Sequence, residues 1–340
     1  MMIDYKSVGV NIENIKKSQI AIGQNIKHTH QIQKNVQVIS GFNHYAGIVK
    51  INNSKLALHT DGVGTKTLVA SLMNKYNTIG IDCIAMNVND LICVGAIPIS
   101  FVDYIAANKN NTTIFKKIIS GLVTGAKKSK ISIIGGETSI MPDLISGTNF
   151  NFDLAGTVMG IIKYDIITRK IKTDDAIIGI ASNGLHSNGY SLARKILLSK
   201  YSIRDKIKNI GILGNKLLAP TEIYVNPILE MLRKCGIHGL AHITGGAFTK
   251  LLRLNEIGFN LYQLPKIPPI MKLIQEEGNV KINEMYKTFN MGIGFCIVAP
   301  QSEVKKITFI CKKHKLESKK IGDVISKKGV FINDENIIRS

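Results

Sequence analysis

The chain has 340 residues, 45% of them hydrophobic and 20% charged, which allows a sizeable core and two domains rather than one. That balance excludes a disordered polyelectrolyte, and the longest apolar run, through Ile97 and Ile99, is cut by Pro98 and too short for a membrane span. Lys plus Arg is 44 against 24 for Asp plus Glu, a net charge of +20, yet the lysines are scattered, aromatics are 6% and Trp is absent, so specific nucleic-acid binding is not expected.

Taken in chain order, strand-like and helix-like stretches alternate, which predicts an α/β (α+β) architecture. The first buried strand, at 56–58, leads into Asp61-Gly62-Val63-Gly64-Thr65-Lys66. Two glycines let a backbone approach a ligand closely, and Gly62, Gly64 and Thr65 offer N–H groups to phosphate oxygens. Lys66 suits phosphate charge and Asp61 a divalent cation, although the spacing is not that of a Walker A loop. Residues 81–92 follow with apolar positions at 81, 84, 85, 88 and 92, a helical spacing. On that helix Asp82 and Asn89 fall nearly in line, with Asp90 further round and away from the apolar stripe. Such a polar edge suits Mg²⁺ or is an ordinary solvated face.

A second helix is predicted at 114–126 and a strand at 131–134, after which Gly135-Gly136-Glu137-Thr138 reads as a glycine turn holding a carboxylate. The strand predicted at 154–162 gives way to a polar stretch at 163–175, where the chain is divided into domains 1–168 and 169–340. A strand at 177–181 leads through Ser182 to Tyr190 into a helix at 191–198. There Ser187 or Asn188 is placed to cap the helix, its N-terminus favours anions, and His186 is a candidate for phosphate contact or proton transfer. Thr244-Gly245-Gly246-Ala247 repeats the device before a helical stretch at 248–254, and the last buried strand lies at 293–298. Four glycine turns with carboxylates fit one site for a polyphosphate, a metal and a second anion, hence phosphoryl transfer or ATP-driven ligation. No apolar signal core precedes Asp4 and Glu13, and Cys83, Cys93, Cys235, Cys296 and Cys311 form no CxxC pair. A cytoplasmic protein without disulfides or thiolate metal is expected.

These motifs, with Ile79-Gly80-Ile81-Asp82 and Val88-Asn89-Asp90-Leu91, resemble the phosphoribosylformylglycinamidine cyclo-ligase family. The similarity continues through His186-Ser187-Asn188-Gly189-Tyr190, Leu218-Ala219-Pro220-Thr221, His242-Ile243-Thr244-Gly245-Gly246 and Met285 to Asn290, and runs from Tyr5, Lys6, Gly9 and Val10 to about Gly322. The resemblance implies a two-domain fold, a homodimer formed by the sheet of the N-terminal domain, and ATP-driven closure of a ribonucleotide's imidazole ring. It assigns Asp61, Asp90 and Glu137 to Mg²⁺, and those three with Gly62, Gly64, Thr65, Asn89, Gly135 and Gly136 to ATP. Lys66 and His186 are implied as catalytic, and Ser187, Asn188, Gly189, Thr244, Gly245, Gly246 and Asn290 as ribonucleotide contacts. The chain departs from the family at 40–47, where glycines are fewer and His44 appears, at Ile140 in place of a second Glu, and at Glu222 in place of a basic residue. Selenophosphate synthetases are not expected because the first cysteine is Cys83, nor hydrogenase-maturation relatives because the chain ends without one. Thiamine-phosphate kinases and formylglycinamidine synthases lack the motifs around His186 and Asn290 in this form.

Overall fold

The computed structural model describes residues 12–40, 44–254 and 257–338. Asp4, Tyr5, Lys6, Gly9 and Val10, named above, and positions 41–43 of the 40–47 stretch lie outside them. In the first half, helix α1 (Ile12–Ile26) precedes strands β1 (Val36–Ser40), β2 (Gly47–Ile51) and β3 (Ser54–Gly62). Helices α2 (Lys66–Met73) and α3 (Ile79–Ile92), strand β4 (Ala96–Ala107), helix α4 (Thr112–Ser129) and strands β5 (Ser132–Ile140) and β6 (Phe152–Ile162) follow. The six strands form one sheet in the order β1-β2-β3-β6-β4-β5, antiparallel except for the parallel pair β4 and β5.

Alternation along these strands decides what each face does. Phe101, Ile105, Leu154 and Val158 are buried beneath the helices, whereas Leu58, Val102, Tyr104 and Ile161 stay exposed on the other face. Helix α4 starts where the Asn111 side chain accepts the Ile114 N–H at 3.1 Å, and it stops at Lys130 in a left-handed conformation, φ 58°. Both caps lie outside its apolar periodicity, so the helix is longer than the predicted 114–126.

The second half runs from β7 (Ala176–Ala181) through α5 (Tyr190–Leu197), the short strands β8 (Lys206–Ile207) and β9 (Gly211–Ile212), α6 (Leu213–Leu217), α7 (Val225–Lys234) and β10 (Gly239–His242). It continues with β11 (Gly258–Leu261), α8 (Pro269–Gly278), α9 (Ile282–Thr288), β12 (Ile293–Ala299), α10 (Val304–Lys313), β13 (Ser318–Ile325), β14 (Gly329–Ile332) and β15 (Glu335–Ile338). Seven strands pair in the order β10-β12-β7-β13-β11-β14-β15, and β10 and β12 are buried at every position. The predicted helix at 248–254 is instead a 3-10 turn, Ala247–Arg253, preceded by Gly246 at φ 80°. All five cysteines are free and buried, packed as small apolar groups.

Helix α3 lies where the halves meet, touching β3, β6 and α4 on one side and α7 and β10 on the other. Apart from Ile81, its residues are buried. The polar edge read above as Mg²⁺-facing or solvated is therefore sealed inside the molecule. A hydrophobic pattern shows which face meets the first core, but not that a second domain covers the opposite face.

Candidate active site

The two ends of α3 carry its two carboxylates, and each meets a different lysine. Lys66 opens α2 just after the glycine turn, with its side chain fully buried. Its ammonium donates to Asp82 Oδ1 at 2.8 Å, to the His186 carbonyl at 3.0 Å and to the Ala219 carbonyl at 2.7 Å. An ammonium has three N–H groups, and all three are used. The expected placement of Lys66 on phosphates is thus corrected: it is committed inside the protein. Burial lowers its pKa, opposed by Asp82. Asp82 Oδ1 also accepts from the Thr221 N–H at 2.7 Å, the Thr221 hydroxyl at 2.6 Å and the Ser187 hydroxyl at 3.2 Å. One carboxylate oxygen therefore ties residues of both halves together.

At the other end, Asp90 Oδ1 lies 2.7 Å from His242 Nδ1, and Oδ2 lies 3.1 Å from Lys250 Nζ and 3.7 Å from His59 Nε2. Burial alone would raise the Asp90 pKa, but Lys250, the His242 bond and His59 together hold it well below the carboxylate range. His242 is pushed down by burial against the pull of Asp90, so the neutral ring donates from Nδ1. Nearby Asp61 accepts the Gly62 N–H at 2.8 Å, and burial followed by repulsion from Asp90 raises its pKa. Asn89 differs from its expected ligand role. It donates to the Glu222 carbonyl at 2.8 Å and accepts the Tyr224 N–H at 2.9 Å, fixing the 222–224 segment to α3.

Glu137 does not join this cluster within one chain. Gly135, Gly136, Glu137 and Thr138 lie inside β5 rather than in a turn, because β5 continues as an edge strand to Ile140. Asp61 pairs with Gly156, Gly156 with Asp103, and Asp103 with Gly136. Glu137 is one residue further, so its side chain leaves the opposite face from Asp61, three strand spacings or about 14 Å away. Gly136 instead packs closely against β4, where a Cβ would lie 2.5 Å from Asp103 Oδ1 and 3.0 Å from the Asp103 carbonyl. Among the described residues no three His, Cys, Asp or Glu side chains gather to hold a metal.

What does come together is a cleft of about 360 Å³ between the halves. Asp61 to Thr65, Ser187 to Gly189, Thr244 and Gly245 line it, joined by Lys250 and Arg253. The Thr65 and Ser191 hydroxyls meet across it at 3.3 Å. Gly189, at φ 75°, has no room for a Cβ, which would sit 2.3 Å from the Phe289 ring. This packing sets the N-terminus of α5 against the cleft. Asn188 Nδ2 and Thr244 Oγ1 are buried without a protein partner, as expected of atoms awaiting a polar ligand. A second cleft, about 470 Å³, adjoins it between α1, β1, β2 and β3, with His44, Tyr45, His59 and Arg253 in its wall. His44 Nδ1 and His59 Nε2 likewise lack a hydrogen-bond partner.

Besides the residues already placed elsewhere, His186, Asn290 and Gly246 also stand outside these walls. His186 is buried in a left-handed conformation, φ 62°, with neither ring nitrogen bonded, and burial, His242 and Lys66 push its pKa well below the usual value. Asn290 accepts from the Ser182 hydroxyl and the Gly292 N–H, both at 2.9 Å, and donates to the Gly184 carbonyl at 2.9 Å. It pins the 182–184 loop from behind, and its amide is spent there. The sequence reading missed Lys250, Arg253, Tyr45 and His59. The one available signal was a pair of cations three residues apart just after the Thr244 glycine turn.

Residues 43–162 match the family model for the N-terminal domain of AIR synthase related proteins, and residues 172–335 match the model for the C-terminal domain. The phosphoribosylformylglycinamidine cyclo-ligase of Pyrococcus horikoshii is 47% identical over 329 residues, 96% of each chain. Those of Methanobrevibacter smithii (48%, covering 90% of each chain) and Methanocaldococcus jannaschii (45%, covering 99% of this chain and 96% of the other) are similarly related. Among solved structures, the thiamine-monophosphate kinase of Stenotrophomonas maltophilia superposes with a TM-score of 0.64 at 17% identity, over 92% of this chain and 96% of that one. AaThiL complexed with AMPPCP and TMP gives 0.65 at 15% identity over 93% of each chain, a likeness of fold alone.

Proposed function

The chain belongs to the phosphoribosylformylglycinamidine cyclo-ligase family, a ligase forming the C–N bond that closes 5-aminoimidazole ribonucleotide in purine biosynthesis, and from that premise we propose how its clefts hold the reactants. ATP lies with its phosphates at Asp61 to Thr65, and formylglycinamidine ribonucleotide lies against Ser187 to Gly189, Thr244 and Gly245. One observation carries this reading: three glycine-rich segments from distant parts of the chain face one cleft that holds unpartnered Asn188 and Thr244 atoms.

Mg²⁺ fits this arrangement through Asp61, without Glu137 and without Asp90, whose oxygens are held by His242 and Lys250 away from the cleft. It needs only one or two carboxylates besides phosphate and water oxygens. Asp61, buried and facing the negative charge of Asp90, is the group a bound cation would relieve. When bound, the ion would neutralise phosphate charge.

In the reaction, the formamide oxygen attacks the γ-phosphorus, and the bond to the bridging oxygen of ADP breaks. A nitrogen of the same substrate then attacks the activated carbon, the C–O bond breaks, phosphate departs and a proton is lost. The second step is intramolecular, so the chain's task is positioning and exclusion of water rather than supplying a nucleophile. Asn188 and Thr244 orient the ribonucleotide, while the backbone at Gly62 and Gly64 receives phosphate oxygens.

A homodimer is supported by the open face of the first sheet, where Leu58, Val102, Tyr104 and Ile161 are exposed. Contiguous apolar surface of this kind marks an interface. Five buried thiols without a disulfide support a reducing, cytoplasmic location, and among the described residues no helix is long and apolar enough to cross a membrane.

The direct test supplies Mg-ATP with and without formylglycinamidine ribonucleotide. ADP and aminoimidazole ribonucleotide should form in equal amounts, and only with the substrate present. ADP release without ring closure would refute the assignment of the clefts.

A further inference from the structure

Resting on the reading above, we infer that Lys250 and Arg253 are the cations that stabilise the phosphoryl group in transit, and that Lys66 is not. Lys66 is excluded on geometry, since its three donors are taken by Asp82, His186 and Ala219 and its side chain is fully buried. An enzyme that moves a phosphoryl group between two anionic reactants still needs positive charge at the point of transfer.

Lys250 and Arg253 stand on the 3-10 turn Ala247–Arg253. Residues three apart eclipse on such a turn, so both heads project to the same side. Both lie against one aromatic ring: Lys250 Nζ is 5.3 Å and the Arg253 guanidinium carbon 5.5 Å from the centre of the Tyr45 ring. Tyr45 is fixed in turn, its hydroxyl donating to the Lys250 carbonyl at 3.0 Å. The ring thus holds two like charges together and aims them, an arrangement that cation–π attraction favours and that mutual repulsion opposes until an anion arrives.

Their positions relative to the clefts complete the case. Lys250 lines the cleft of Asp61 and Asn188, and its bond to Asp90 Oδ2, at 3.1 Å, uses one of three donors. Arg253 is exposed and is the residue common to the walls of both clefts. The 61–65 and 187–189 segments, read above as holding the ATP phosphates and the ribonucleotide, line the same cleft as Lys250 and Arg253, so a phosphoryl group leaving the ADP oxygen for the formamide oxygen passes beside both cations. A guanidinium presents paired N–H groups to two phosphate oxygens at once, whereas an ammonium acts as a point charge, so the two cations divide the task. Arg253 spans two oxygens of the group in transit, and Lys250 balances the charge that collects beside Asp90.

The experiment compares wild type with Lys250→Met, Arg253→Met and Arg253→Lys. It measures steady-state formation of ADP and aminoimidazole ribonucleotide, ATP binding by calorimetry, and the melting midpoint. Both Met variants should lower kcat by about 10²–10³-fold. ATP should still bind, weakened less than kcat, and Arg253→Lys should recover only part of the loss. Retention of kcat within about threefold in Arg253→Met, an exposed position where folding is not at stake, would overturn the inference for the arginine. The same result in folded Lys250→Met would overturn it for the lysine. If Lys250→Met does not fold, Lys250→Gln takes its place under the same criterion. A wild-type enzyme that makes no aminoimidazole ribonucleotide would instead refute the underlying reading of the clefts.

Discussion

Helix α3 ends in two carboxylates that begin from similar chemistry and finish with opposite tasks. Asp82 meets a lysine with no solvent and no spare donor, and its remaining bonds go to Ser187 and Thr221 across the junction of the halves. Asp90 also meets a lysine, but that lysine borders a cleft and a neutral histidine shares the carboxylate. The same ion-pair type is a fastener where water is excluded and part of a reaction site where a ligand can enter. Whether the buried lysine borders a cleft, rather than residue type, separates the two.

The sharpest way to break this contrast is at Asp61, which faces the open end. Asp61→Asn should cost at least about 10²-fold in kcat with the melting midpoint nearly unchanged, because an amide keeps the local shape but holds Mg²⁺ and phosphate poorly. Steady-state ADP formation across a Mg²⁺ titration measures it, and unchanged activity would remove Asp61 from the site. At the sealed end the expected loss is in stability. Lys66→Met leaves Asp82 buried without its counter-charge, and breaking such a pair costs about 3–5 kcal/mol. Urea unfolding should show it, and a wild-type midpoint would mean that the network is not a fastener.

A smaller effect is expected on the open face of the first sheet. Tyr104→Glu should convert a dimer to a monomer in sedimentation velocity while the chain stays folded, since Tyr104 is already exposed in one copy. The smallest is at His186. Burial keeps its folded pKa below the usual value, whereas the unfolded chain takes up its proton near pH 6.5. The unfolded state then binds more protons, so this stabilisation is whole above about pH 6.5 and is lost as pH falls, by up to ~1.4 kcal/mol per unit. His186→Asn suits the left-handed backbone and should flatten the stability profile between pH 7 and 5.5. An unchanged slope in urea unfolding would count against a buried neutral His186.

Much of the fold was legible because strand and helix periodicity is local. The strand predicted at 154–162 and the helix predicted at 81–92 differ from β6 and α3 by two residues at their N-terminal ends alone. The site was legible only in part. Asp61, Ser187, Asn188 and Thr244 sit beside glycines that are visible in sequence, at or near the ends of elements, and all of them line the cleft. The errors arose where a motif's neighbours come from elsewhere in the chain. Lys66 carries a phosphate-binding pattern but is captured by Asp82 and two distant carbonyls. Glu137 looks like a ligand after a glycine turn, yet an edge strand carries it to the wrong face. Lys250 and Arg253 went unnoticed because only the fold brings Tyr45 beneath them.

The most direct test of the contrast measures ADP formation per folded molecule for Asp82→Asn and Asp90→Asn, with the melting midpoint of each. The account predicts that Asp90→Asn, at a temperature where it is folded, loses about 10²-fold or more in rate. Asp82→Asn should melt well below wild type yet, at a temperature where it is folded, turn over far faster than Asp90→Asn. The reverse pattern, an unstable Asp90→Asn with normal turnover beside a stable and inactive Asp82→Asn, would contradict it.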